Sequence, residues 1–228
     1  MIIVHHLNNS RSQRVLWLLE ELGVPYEIKK YERDAKTMLA PDSLKQVHPL
    51  GKSPVITDDA DGATVTVAES GAIIEYLVER YGNGRLAPAL GTPERLRWRY
   101  WMHFAEGTAM SPLLMKLVFE RIKETKMPFI VKPVARGIAN KLLALMVEPN
   151  LTRQLDFMEA ELGQHEWFAG AEFSAADVQM SFPVEASAQR AGLNASRPKL
   201  MAFLKRIHAR PAYKKALERG GPYSFAND

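Results

Sequence analysis

Three short runs bring together side chains suited to holding a small, peptide-like anion. The first is Asn8-Asn9-Ser10-Arg11-Ser12-Gln13-Arg14, immediately ahead of an apolar helical pattern. The unpaired backbone N–H groups at a helix start carry about half a positive charge between them, so an anion placed there is stabilised. A thiolate is such an anion. Lowering a thiol pKa of about 8.5 by about two units takes roughly 2.7 kcal/mol of differential stabilisation, within reach of one hydroxyl hydrogen bond plus the helix terminus. Ser10 or Ser12 serving only as a helix N-cap accounts for the same residues without any ligand.

The second run is His48-Pro49-Leu50-Gly51-Lys52-Ser53-Pro54-Val55. A proline opening a strand is tolerated because no ladder N–H is needed there. A cis Ser53-Pro54 bond would leave the preceding N–H and C=O facing outward, where an extended peptide can pair with them. Lys52 would hold a carboxylate nearby. Gly-Lys-Ser also suggests a phosphate loop, but the upstream glycine and the following helix that such a loop needs are both missing. In the third run, Ala68-Glu69-Ser70-Gly71, a carboxylate and a hydroxyl stand where a strand passes into a helix. Ser70 and the helix start suit an anion and Glu69 an ammonium group, which together match the zwitterionic end of an amino acid. A plain helix cap with an acidic first turn is the alternative. A fourth motif, Phe173-Ser174-Ala175-Ala176-Asp177-Val178, has the spacing of a capping box and a hydrophobic staple, and is read as structural.

The elements that must position these runs follow from hydrophobic period. Ile2 to His6 reads as a buried strand; Val15, Leu16, Leu18, Leu19 and Leu22 form a helical face ending at Gly23; Val24 to Ile28 reads as a second, parallel strand. A short helix is expected around residues 40–47. Strands at residues 53–57 and 63–67 flank Asp58-Asp59-Ala60-Asp61-Gly62, whose Asp-Gly ending signals a hairpin. A helix over residues 69–81 closes the unit in the order β-α-β-α-β-β-α. Gly, Pro and Ala then dominate residues 84–93, as in a linker, and strand signals nearly vanish. Helices are expected over residues 93–110, 113–124, 131–147, 151–162, 175–191 and 199–208, with a last turn over 212–219. The fold class is therefore an α/β domain over residues 1–83, a linker over 84–93, and an all-helical domain over 94–228.

Composition excludes several functions. The 228 residues include 30 basic and 26 acidic ones with no block of like charge, so no nucleic-acid partner is indicated. Arg95 to Trp101 interleaves cations and aromatics, yet at helical spacing it makes an ordinary amphipathic face. There is no cysteine, so no disulfide, no cysteine-based zinc site and no protein thiol nucleophile exists. Any sulfur chemistry uses a ligand's sulfur. No stretch has the length and apolarity of a membrane span, and the N-terminus lacks a secretory leader pattern, so a cytoplasmic location is expected.

Taken in order and at these distances, the Ser10-x-x-x-Arg14 turn, the His48 to Pro54 run, the Glu69-Ser70 pair and the Phe173 to Asp177 box resemble the cytosolic glutathione transferase superfamily. Fungal and bacterial forms related to the yeast enzymes are the nearest match. The resemblance implies a thioredoxin-like first domain, with glutathione as co-substrate and no other cofactor or metal. It implies a cis Pro54, Ser53 pairing with the cysteinyl part of glutathione, Glu69 and Ser70 at the γ-glutamyl end, and Lys52 near the glycyl carboxylate. Ser10 matches the activating serine of serine-type classes. Arg11 after it departs from their small or apolar residue, which leaves Asn9, Ser10 and Arg11 all as candidates for activating the thiol. No Tyr precedes Tyr26, so tyrosine-type activation is not available. A hydrophobic electrophile is expected against Met110, Leu114 and Phe119. Met127 to Ile130 is read as a packed connection or a lid. A homodimer is expected through the third helix of the first domain and the first helices of the second, with Glu75 and Glu79 facing Arg95 or Arg99. A glutathione-dependent disulfide reductase or peroxidase, and a non-catalytic binding protein, are the rival readings.

Overall fold

The computed structural model describes residues 1–60 and 62–226. Its first part is a four-stranded sheet with helices: β1 (Ile2–Leu7), α1 (Ser12–Leu22), β2 (Tyr26–Tyr31), β3 (Val55–Asp58), β4 (Val65–Ala68) and α2 (Ser70–Tyr81). The strand order is β2-β1-β3-β4. β1 and β2 run parallel with Ile2 opposite Tyr26, as a right-handed crossover through α1 requires. β3 is antiparallel to β1, with Ile56 opposite Val4, and antiparallel to β4, with Ile56 opposite Val67. Asp61, half of the expected Asp-Gly turn between β3 and β4, lies outside the described residues. The short helix expected near residues 40–47 is a 3-10 turn, Asp42–Gln46.

α1 ends where the sequence says it must. Gly23 adopts φ +69° and its N–H reaches the carbonyls of Leu19 and Glu20, closing the last turn in a left-handed conformation that a Cβ disfavours. Val15, Leu16, Trp17, Leu18 and Leu19 are all fully buried, too many for one helical face. The reason is that α1 packs against the sheet, α2 and the later helices α7 (Ala175–Arg190) and α9 (Pro211–Gly220).

The remaining helices are α3 (Pro93–Phe104), α4 (Met110–Glu124), α5 (Val131–Leu142), α6 (Glu148–Gln164) and α8 (Pro198–Ala209). The expected breaks near Pro112 and near residues 148–150 are absent. A π turn, Ala105–Ala109, joins α3 to α4, and another, Leu143–Val147, joins α5 to α6. Proline is tolerated at 112 because the wider turn before it makes room, and because the Thr108 carbonyl, which Pro112 cannot serve, accepts 3.1 Å from Gln154 Nε2. α7 begins with the expected capping box: Ser174 Oγ accepts from the helix backbone, and Asp177 accepts from the Ser174 N–H at 2.8 Å and the Phe168 N–H at 2.9 Å.

Candidate functional site

A cavity of about 570 Å³ opens between the sheet's loops and α4. Lys52, Ser53, Pro54, Glu69 and Ser70 line it, so the second and third sequence runs meet on one wall. The Ser53–Pro54 peptide is cis. Ser53 Oγ donates to the His5 carbonyl at 2.9 Å, pinning the run to β1. Glu69 takes φ +71°, a conformation costing about 1–3 kcal/mol for a residue with a Cβ and typical of ligand clamps. Its carboxylate caps no backbone N–H, which removes the plain-cap reading and leaves it exposed beside the buried Ser70 at the start of α2.

The first run divides its labour. Arg11 lines the cavity, and its Nε donates to both carboxylate oxygens of Glu106 at 3.0 Å. Asn9 is turned away: its Oδ1 accepts from the Ser224 N–H and Oγ–H, both at 2.8 Å, so it fastens the last turn of the chain. Ser10 is buried, and neither it nor Ser12 is the N-cap; Arg11 is, without a side-chain cap. Ser10 Oγ accepts the Ser12 N–H at 3.2 Å and is hydrogen-bonded to Ser12 Oγ at 2.7 Å, where either hydroxyl can donate. Ser12 Oγ in turn lies 2.8 Å from His6 Nδ1 and 3.3 Å from the Leu7 N–H and C=O. Burial first, and Lys30 second, push His6 down to about 4, so its ring is neutral at pH 7.

Glu106, on the π turn after α3, gathers two guanidiniums. Arg14, fully buried, donates to it through Nη2 and to the Gln179 carbonyl at 2.6 Å through Nη1. That carbonyl is vacant within α7 because Pro183, four residues on, has no N–H. Burial raises the Glu106 pKa, but Arg14 and Arg11 outweigh it and hold the carboxyl below its usual 4.5. Two cations against one anion leave the start of α1 net positive, as a bound anion needs.

The expected second-substrate residues separate. Leu114 lines the cavity. Met110 is buried in a cluster with Leu113, Phe182 and Tyr223, and Phe119 packs on that cluster's edge, so both serve packing. Met127 to Ile130 is not a packed connection: Phe129 is 84% and Ile130 71% exposed, and neither lines the cavity. Sequence reasoning missed Glu106 and Arg33, which also line it. A lone acid inside a helix and a lone base after a strand carry no local signal; the displaced prolines at 112 and 183 are the only hint that the neighbouring carbonyls need outside donors. Among the described residues, no group of three His, Asp or Glu side chains is arranged to hold a metal, and no helix is long and apolar enough to cross a membrane.

Comparison with known proteins places this geometry. Residues 10–80 match the family description "Glutathione S-transferase, N-terminal domain" and residues 112–211 match "Glutathione S-transferase, C-terminal domain". Glutathione S-transferase 3 of Schizosaccharomyces pombe is 37% identical, with 96% of this chain and 88% of that protein covered. Glutathione S-transferase 1 of Saccharomyces cerevisiae is 31% identical, with 96% and 95% covered. A glutathione S-transferase crystal structure from Actinobacillus pleuropneumoniae superposes with a TM-score of 0.77 at 30% identity, over 100% of this chain and 97% of that one.

Proposed function

Because the chain belongs to the glutathione transferase family, we propose that it conjugates the thiolate of glutathione to small hydrophobic electrophiles. The observation that carries this reading is the meeting of Arg11, Lys52, Ser53, Glu69 and Ser70 around one cavity. Residues 1–83 form the glutathione-binding domain and residues 94–228 the helical domain that closes over it. Glu69 pairs with the γ-glutamyl ammonium. Ser70 and the N–H groups opening α2 take the adjoining carboxylate. The Ser53 backbone pairs with the cysteinyl amide as an added strand would, and Lys52 faces the glycyl carboxylate.

The sulfur then lies against the start of α1. The Ser10 hydroxyl turns to it at little cost, because Ser12 keeps His6 and Leu7 as partners. Arg11 and the backbone N–H groups supply the remaining stabilisation, and the thiol proton leaves to solvent. The thiolate forms a bond to the electrophilic carbon, whose leaving group departs with its electron pair. The protein contributes ionisation and alignment rather than a covalent intermediate. Dimerisation is proposed through α2 and α3, where Leu96 (70% exposed), Tyr100 (48% exposed) and His103 form an apolar groove facing out. A cytoplasmic enzyme acting on glutathione and one electrophile, without metal or further cofactor, is the whole of the proposal.

The test is direct. The protein should be retained on immobilised glutathione and should turn over chlorodinitrobenzene with it. Retention with turnover of a disulfide or hydroperoxide alone would move the assignment to a reductase or peroxidase, and absence of retention would end it.

A further inference from the structure

Once glutathione's charges are assigned as above, the cavity retains unpaired positive charge at the loop that follows β2. Lys45 is paired with Asp42 at 2.6 Å, and Arg11 with Glu106 at 3.0 Å. Arg33 also lines the cavity, but among the described residues no carboxylate lies within ion-pair reach of it. Its guanidinium is held instead by the Met38 carbonyl at 3.1 Å, and its N–H donates to Asn8 Oδ1 at 3.0 Å, which fixes it beside the end of β1. Nearby acids are committed elsewhere: Asp34 accepts from Lys36 and Thr37, and Glu120 pairs with Lys123.

A second guanidinium, Arg121 of α4, lies near enough for Arg33 to feel its charge. Leu114 and Arg121 are seven residues apart on that helix, hence on one face, with Val118 between them at 47% exposure. The face therefore reads as an apolar strip leading from the cavity to a cation. Arg11 and Arg190 extend the basic edge, and they are held over aromatic rings: Arg11 Cζ is 5.0 Å from the Phe182 ring, Arg190 Cζ is 5.0 Å from the Phe225 ring, and those two rings are 5.0 Å apart. Burial and the neighbouring guanidiniums of Arg11 and Arg121 lower the Arg33 pKa, as expected when cations are crowded without counter-charge.

We infer that the second substrate carries its own anion: an electrophile with an apolar body against Leu114 and Val118 and a carboxylate held by Arg33 and Arg121. This rests on the transferase reading for its chemistry and not for its binding. Two guanidiniums facing one carboxylate give charge-assisted hydrogen bonds of the strongest ordinary kind.

The experiment compares chlorodinitrobenzene with its ring-carboxylated counterpart, chlorodinitrobenzoate, in the wild type, Arg33→Gln and Arg121→Gln. The wild type should favour the carboxylate in kcat/KM, and each variant should lower that preference by about tenfold, the effect of one charged hydrogen bond. Equal preference in wild type and both variants overturns the inference. Should the wild type turn over neither compound, the transferase reading fails separately, and binding decides. Dinitrobenzoate binding more tightly than dinitrobenzene to the S-methylglutathione complex, with the difference lost in both variants, supports the anion site; equal binding overturns it. Retained glutathione affinity in both variants shows that they fold and that Arg33 is not a glutathione ligand.

Discussion

Arg11 and Arg14 stand one helical turn apart and share Glu106, yet they do different work because one faces the cavity and the other is fully buried. Arg11 is the cation that a sulfur anion would meet, while Ser10 offers a hydroxyl otherwise hydrogen-bonded to that of Ser12. Arg11→Gln should therefore raise the pKa of bound glutathione by about one unit, the equivalent of about 1.4 kcal/mol. Ser10→Ala should raise it further or equally. Both should leave glutathione affinity at acid pH almost unchanged, since the other contacts remain. Ultraviolet titration of the bound thiolate reads the shift, and an unmoved titration in both variants would hand the role to the backbone alone. At this scale the sequence was partly legible. Residue types at fixed spacing pointed to Lys52, Ser53, Glu69 and Ser70, all of which line one cavity. Asn9 was indistinguishable from a ligand-facing donor, because its partner, Ser224, is 215 positions away.

Element positions were legible wherever local chemistry decides them and blurred wherever a distant group does. Gly23 ends α1 and Ser174 starts α7 through contacts within a few residues, and both were readable. Pro112 looked like a helix break because its rescuer, Gln154, belongs to another helix. Pro183 is the sharper case. Removing a proline from a helix interior ordinarily gains about 3 kcal/mol. Here Pro183→Ala would restore an N–H that competes with Arg14 for the Gln179 carbonyl. The gain should therefore shrink below about 1 kcal/mol or reverse, measured as the change in denaturant midpoint. A full gain would mean that the Arg14 contact contributes nothing to α7.

Across the whole molecule, ion pairs tie α1 to the later helices. Besides Arg14 and Glu106, Arg210 pairs with Glu21 at 2.6 Å and Arg219 with Glu20 at 2.9 Å, fastening α9 to α1. Burial raises the Glu20 carboxyl, but Lys215, Arg219 and Tyr26 outweigh it, and like Glu106 it is held below 4.5. A carboxylate with a depressed folded pKa adds stability above its unfolded value and loses it as pH falls through the folded one. The contribution of these two carboxylates should accordingly be complete near neutrality and be lost below about pH 4.5, with Glu106→Gln showing a shallower slope in that range of acid-unfolding curves. Arg14→Met should cost about 2–4 kcal/mol, somewhat less than a fully buried pair because Glu106 remains one third exposed. None of these pairs was visible in the sequence, since charge patterning reports only neighbours within a turn or two.

The tail deepens this point. Gly220 sits so close to α1 that an added Cβ would come within 2.7 Å of Gln13 Oε1, and just beyond it Tyr223 donates to the buried Glu185 at 2.7 Å while Ser224 seizes Asn9. The loop that would cradle the sulfur is thus steadied by a residue 215 positions downstream, so it cannot settle until the sheet and the last helix have docked against one another.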